Sequence, residues 1–169
     1  MPKHSFAPIL GKINRFVLDS KLLENRLGDP TSREIIVHNT PEGIDLIEKG
    51  GQLPAIIYLA PFTSSGPARA GWKAFSESIL QRHERLVKVG EMEPCLLVLP
   101  DTFTSLGGNQ FVDSPVMGNW SSWLSSELKK RVSLLLSRLI SSAKRIFDLG
   151  IFKYSSDNKL KIEFNSSFS

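Results

Sequence analysis

A chain of 169 residues, 41% of them apolar, is long enough for one domain with a buried core and short for two. Its formal charge of +4 comes from 21 basic and 17 acidic residues, with no basic run longer than Lys129-Lys130-Arg131, which argues against a nucleic-acid partner. The lone Cys95 excludes an internal disulfide and fits a cytoplasmic setting, the Met1–Leu10 stretch is no signal-peptide core, and no run nears the ~20 apolar residues of a membrane helix.

The imperfect alternation of Ile13, Phe16 and Leu18 with polar neighbours predicts a half-buried strand over Lys12–Asp19. Leu27-Gly28-Asp29-Pro30 is a turn, and Ser32–Asn39 reads as a second strand stopped by Thr40-Pro41-Glu42-Gly43. A hairpin is the natural pairing of the two. Ala55–Ala60 is apolar on both faces and is expected as a central strand in the sheet interior. Trp72, Phe75, Ile79, Leu80 and Leu86 recur at helical spacing and predict a crossover helix packed on the sheet. Cys95–Leu99 is the next buried strand, where Cys95 acts as a small hydrophobe, and strand, helix and strand in this order imply a parallel pair. Trp120, Leu124, Leu128, Val132, Leu135 and Leu139 then step by three or four, so a long amphipathic helix begins near the N-cap candidate Asn119. From Ser133 the texture changes, with nine serines in the last 37 residues.

Two apolar strands therefore empty into polar loops, Pro61–Gly66 and Asp101–Ser114, and in a parallel sheet such loops meet at one site. Pro61-Phe62-Thr63-Ser64-Ser65-Gly66 has the form of an oxyanion loop, with the N–H groups of Phe62 and Thr63 as donors. On composition alone the ordinary strand-to-helix connection, capped by Ser64 or Ser65, fits it better. Gly107-Gly108-Asn109-Gln110 can adopt positive φ and bring backbone close to a ligand, but it lacks a dinucleotide or phosphate-loop pattern. Asp101 sits at the carboxyl end of its strand, a place for function and equally for a turn residue. His4, His38 and His83 stand far apart without metal-ligand spacing, and His83, beside Arg82 and Glu84, is expected on a solvated helix face. No metal or cofactor is expected, and no Gly-x-Ser-x-Gly marks a nucleophile.

From about Gly11 to Val132 the chain resembles the esterases of the α/β-hydrolase superfamily related to esterase D, enterochelin esterase and feruloyl esterases. The resemblance is carried by Phe16–Ser20, Leu27–Pro30 with Arg33, Tyr58–Gly66, Trp72 with Phe75 and Glu77, Pro100-Asp101 with Phe103-Thr104, Gly107–Ser114, Gly118 and Glu127-Leu128. It implies a carboxylic-ester hydrolase that acylates a serine with a histidine base and an acidic partner, acting on a small-molecule ester. It also implies an oxyanion role for Phe62 and Thr63, with Asp101, Gly107, Gly108, Asn109 and Gln110 along the active-site rim.

The nucleophile elbow, acid and histidine of such enzymes follow the helix that corresponds to Trp120–Val132, and none of the three is found here. Ser155 and Ser156 are followed by Asp157 and Asn158, where a strained elbow needs small glycines. The expected fold is thus α/β, an incomplete α/β-hydrolase whose amino-terminal hairpin leads into a parallel βαβ unit. Residues 1–132 form the amino-terminal part of the esterase domain, residues 133–169 a divergent tail, and the carboxyl-terminal half is missing. Back-translation of Arg138–Arg145 lets a neighbouring frame read Ile-Asp-Leu-Leu-Ser-Lys-Glu, which suggests a frameshift near codons 132 to 138. Such a chain is inactive alone, and it exposes a strand edge with Trp72, Trp120 and Trp123. Two other readings stand beside it: a self-contained, non-catalytic small-molecule binding domain whose Lys159–Phe164 strand completes the sheet, and a split enzyme finished by a complementary carboxyl-terminal chain.

Overall fold

A computed structural model describes residues 6–148 and the strand pieces 153–154 and 160–161, with side chains up to residue 139. β1 (Lys12–Asp19) and β2 (Ser32–Asn39) form the expected antiparallel hairpin, with Lys12 opposite Asn39 and Asp19 opposite Ser32. Phe16 and Leu18 turn toward the core, whereas Ile13 is 37% exposed and its inward place is taken by Asn14. β2 also pairs antiparallel with β4 (Leu96–Pro100), which pairs parallel with β3 (Ala55–Ile57), giving one mixed sheet in the order β1-β2-β4-β3.

β2 and β4 occupy the centre, and the two-residue period of a strand sends their side chains alternately into two cores. Ile35, Val37, Leu96 and Val98 join Leu23, Ile47, Leu53, Trp120, Trp123 and Leu128 on one face. Ile36, Leu97 and Leu99 join Leu80 on the other, flanked by Ile9, Tyr58, Ala70 and Ile79. The result is a sheet sandwiched between helices.

Three short helices begin at side-chain caps. Thr40 accepts from the Gly43 N–H to start α1 (Pro41–Glu48), a helix not foreseen where the sequence reads only as a strand stop. Ser65 accepts from Ala68 to start α2 (Gly66–Ala70), and Ser78 and Gln81 close a capping box at α3 (Ile79–Lys88). The crossover is therefore not one helix from Trp72. Trp72 and Phe75 lie between α2 and α3, 82% and 68% exposed, and Phe75 has φ +59°, which no helix accepts.

The interior place expected for Ala55–Ala60 is also corrected. β3 is only three residues long, it lies at the sheet's edge, and Ile56 and Leu59 are 42% and 45% exposed. A run apolar on both sides signals a covered strand only when a neighbour pairs with its outer edge, and none does so among the described residues.

After the ribbon β5 (Asp113–Ser114) and β6 (Gly118–Asn119), the helix begins with α4 (Trp120–Ser122), passes through a wider π turn at Trp123–Leu128 and continues as α5 (Lys129–Asp148). Asn119 holds the N-cap position without a side-chain bond, and Asp113 caps instead, its two oxygens taking the Ser122 N–H at 2.9 Å and hydroxyl at 2.6 Å. Trp120 and Trp123, expected to be exposed, are fully buried and meet edge to face at 5.6 Å. The helix continues through the start of the serine-rich stretch, where Ser133 and Ser137 donate their hydroxyls to carbonyls four residues back. β7 (Lys153–Tyr154) and β8 (Leu160–Lys161) pair with each other, so Leu160 and Lys161 do not extend the four-stranded sheet. Ser155, Ser156 and the rest of Lys159–Phe164 lie outside the described residues.

Candidate functional site

The carboxyl ends of the parallel neighbours β3 and β4 carry the two polar loops, and two glycines bring them together. At Gly66 a Cβ would strike the Pro100 carbonyl and the Leu99 backbone, so α2 starts directly against the end of β4. At Gly108 a Cβ would strike the Phe62 backbone, and the Gly108 N–H donates to the Phe62 carbonyl at 2.6 Å. Gly107 has φ +103° and lies against the Phe62 ring, a place open to glycine alone without strain.

The loop that follows β3 is thus held from the side by the loop that follows β4. Ser64 donates its N–H to the Pro61 carbonyl at 3.0 Å to form the turn, while the Phe62 and Thr63 N–H groups have no acceptor among the described residues. Ser65 does cap α2, so the connection is both a capped strand-to-helix turn and a source of two unpaired donors. Phe62 is 62% exposed and Thr63 is exposed, so both lie at the protein surface.

Asp101 follows β4 directly and closes an Asx turn, its Oδ1 accepting from the Phe103 N–H at 3.2 Å. Thr104 and Gly107 exchange backbone hydrogen bonds of 2.7 and 2.9 Å to form a tight loop, anchored by Asp29 to the Ser105 N–H. Asn109 is buried and accepts from the Phe111 N–H at 2.6 Å, holding Phe111 at φ +56°, while Gln110 is exposed. A bulky residue in the left-handed region marks strain stored in this loop.

Beneath the loops lies Arg33, 4% exposed. It donates to the Phe103 carbonyl at 2.6 Å, sits 3.9 Å from Asp101 and stacks 5.1 Å from the Trp120 ring centre. Burial lowers its pKa, opposed by the charges of Asp101 and Asp29. Its position explains an arginine beside Ile35 and Val37 on the core face of β2, and only the tertiary contacts reveal the role. Beside the loops an open apolar hollow of about 420 Å³ is lined by Ile57, Leu59, Phe111, Leu124 and Lys129, among others.

No family model matches the chain, and no curated protein matches it. Among solved structures it is similar to one called a ferulic acid esterase, with 18% identity and a TM-score of 0.57 over 76% of this chain. The chain spans 46% of the length of that esterase chain. At this level of identity the likeness shows a fold similar to that esterase's and nothing finer.

The histidines are arranged otherwise than expected. His83 is not on a solvated face but 3% exposed, and His38, distant in sequence, is wholly buried beside it. Their Nδ1 atoms are 2.9 Å apart, His83 Nε2 faces the Cys95 thiol at 3.3 Å, and His38 Nε2 faces Glu84 at 3.0 Å. Among the described residues no three such side chains converge on a metal position. The spacing of Ile79, Leu80 and Leu86 already puts His83 on the apolar face of α3, and the reading of a solvated face rests on its charged neighbours Arg82 and Glu84, which point elsewhere on a helix. No helix of the described residues is long and apolar enough to cross a membrane.

Proposed function

We propose that this chain carries the oxyanion half of a serine ester-hydrolase site. The supporting observation is the pair of unpaired N–H groups at Phe62 and Thr63, fixed at the end of β3 by the Gly108 clamp on the Phe62 carbonyl. Backbone donors held before the reaction begins stabilise a developing oxyanion at no reorganisation cost, and each such donor is worth about 3–4 kcal/mol in known hydrolases. Asp101, Gly107, Gly108, Asn109 and Gln110 form the rim, and the apolar hollow beside Phe111 takes the acyl or alcohol group of a small ester.

The nucleophile, acid and base are supplied from outside residues 1–169, and the free edge of β3 is where the strands bearing them join the sheet. The chain alone is then inactive, since donors without a nucleophile leave only residual stabilisation. The test is to sequence the gene in all three frames from codon 120 to several hundred bases past the stop, and to express any restored frame. A neighbouring frame that encodes Gly-x-Ser-x-Gly, followed by an acid and a histidine, and whose product cleaves aryl esters supports the reading. If no frame does, a complementary chain is the remaining source, read as ester cleavage that appears on co-expression with it. Absence of both overturns the proposal.

The same hollow also supports a second reading, a non-catalytic domain that binds a small apolar molecule. It predicts a thermal shift of the chain alone with hydroxycinnamate esters, in the absence of any turnover.

A further inference from the structure

The buried chain Cys95–His83–His38–Glu84 lies on the face of the sheet away from Trp120 and takes no part in the candidate site. It ends at a carboxylate whose Oε1 accepts the Leu10 N–H at 3.0 Å and the Gly11 N–H at 2.6 Å. Those two donors belong to the segment before β1. Ile9 of the same segment packs on the second core, against Ile36, Leu80, Leu97 and Leu99. Gly11 is seated so tightly that a Cβ there would strike the Asn39 carbonyl, Glu84 and His38.

The direction of every proton in the row follows from Glu84. An ionised carboxylate only accepts, so His38 carries its proton on Nε2 and presents a bare Nδ1. His83 must then donate from Nδ1 and accept the Cys95 S–H at Nε2. One added proton can be absorbed by reversal: His38 becomes cationic and donates to both neighbours, while His83 switches tautomer and donates to the Cys95 sulfur. A second proton cannot, because it sets N–H against N–H across 2.9 Å and places two cations in a dry pocket.

We propose that the His38–His83 pair is a pH-sensitive latch: it fastens the segment Phe6–Gly11 to α3 through Glu84 while at least one ring is neutral, and releases it on double protonation. Release withdraws Ile9 from the second core of Ile36, Leu80, Leu97 and Leu99. Among the described residues the charged or titratable groups that act on the two rings are Glu84 from α3 and Cys95 from the entry to β4, and the amino-terminal segment reaches Glu84 with backbone N–H groups. Glu42, Glu77, Arg85 and Lys88 line the outer groove of about 260 Å³ rather than the rings. Burial first, then the neighbouring His38 charge, hold His83 at about 4, which sets where the latch opens.

The experiment is hydrogen exchange of the full chain from pH 7 to pH 3.5, read as protection relative to an unstructured peptide of the same sequence. Protection over Ile9–Gly11 is expected to fall at least tenfold between pH 5 and pH 3.5 while Ile35–Val37 and Leu97–Leu99 stay protected. Loss only together with those strands, or no loss, overturns the latch. In His83→Gln, which keeps a neutral polar group, the midpoint should move to lower pH by at least half a unit; an unchanged midpoint assigns release to Glu84 alone and also overturns it. Should His83→Gln fail to fold, the wild-type midpoint must coincide with the His83 ring titration followed by its ¹³Cε1 shift, and a mismatch overturns the proposal.

Discussion

Gly108 donates its N–H to the Phe62 carbonyl at 2.6 Å, and its α-carbon lies so close to the Phe62 backbone that no side chain fits between them. Two loops from neighbouring parallel strands are locked by a contact that only glycine permits. The unpaired Phe62 and Thr63 N–H groups owe their position to it.

We predict that Gly108→Ala separates the loops. The obstacle is backbone rather than a flexible side chain, so relief requires one loop to move, at a cost of about 1–3 kcal/mol. Thermal unfolding should drop by several degrees, and any ester cleavage recovered in a completed enzyme should fall with it. An alanine variant that melts within a degree of the parent would contradict the tight seat.

Stability should depend on acid through His83. Its folded pKa is held down to about 4, by burial and then by His38, against about 6.5 in the unfolded chain. The unfolded chain therefore binds more protons between those values, so this contribution is complete above about pH 6.5 and is lost as pH falls toward 4, by roughly 3 kcal/mol at most. Glu84 acts in the same sense below that window. Burial opposes its charge, but the Leu10 and Gly11 N–H groups and His38 outweigh burial and hold its carboxyl below the ordinary value. Urea midpoints at pH 7 and pH 4.5 measure the difference, and equal midpoints would refute it.

The outer edge of β3 should make the isolated chain prone to association. Its backbone, unpaired among the described residues, and the exposed Ile56, with Leu59 just beyond, form a template for another strand. Ile56→Lys should raise the monomer fraction in size-exclusion with light scattering, with little change in melting temperature because Ile56 is already 42% exposed. A parent chain that is monomeric at high concentration would sink this expectation.

Arg33 combines a charge-assisted bond to the Phe103 carbonyl with stacking on Trp120. Arg33→Ala loses both and leaves a void, and should cost about 2–4 kcal/mol. Arg33→Met retains the packing and should cost roughly half as much. Chemical denaturation of the two variants decides, and equal losses would show that packing on Trp120 contributes nothing.

The hairpin, the buried β4 and the long helix from Trp120 were legible because their signals are local. Alternation, turn residues and a three-to-four spacing act within a few residues, and the structure follows them to within a residue or two. The two loops were legible for the same reason, since a strand that empties into Gly, Ser and Pro declares its end. Other features were not. Ala55–Ala60 reads as interior, but burial of a strand depends on what pairs with its far edge. Trp72 and Phe75 match a helical period by chance, and the capping box at Ser78 with Gln81, a hydrogen-bond pattern, sets the true start. His38 and His83 stand 45 positions apart, so their meeting depends on the phase of α3 and its packing across β2. Composition and local pattern thus determined the class of fold and the site of its loops. Which groups face each other across the sheet, and which edge stays open, was decided only by tertiary packing, because those contacts join residues that no local interaction links.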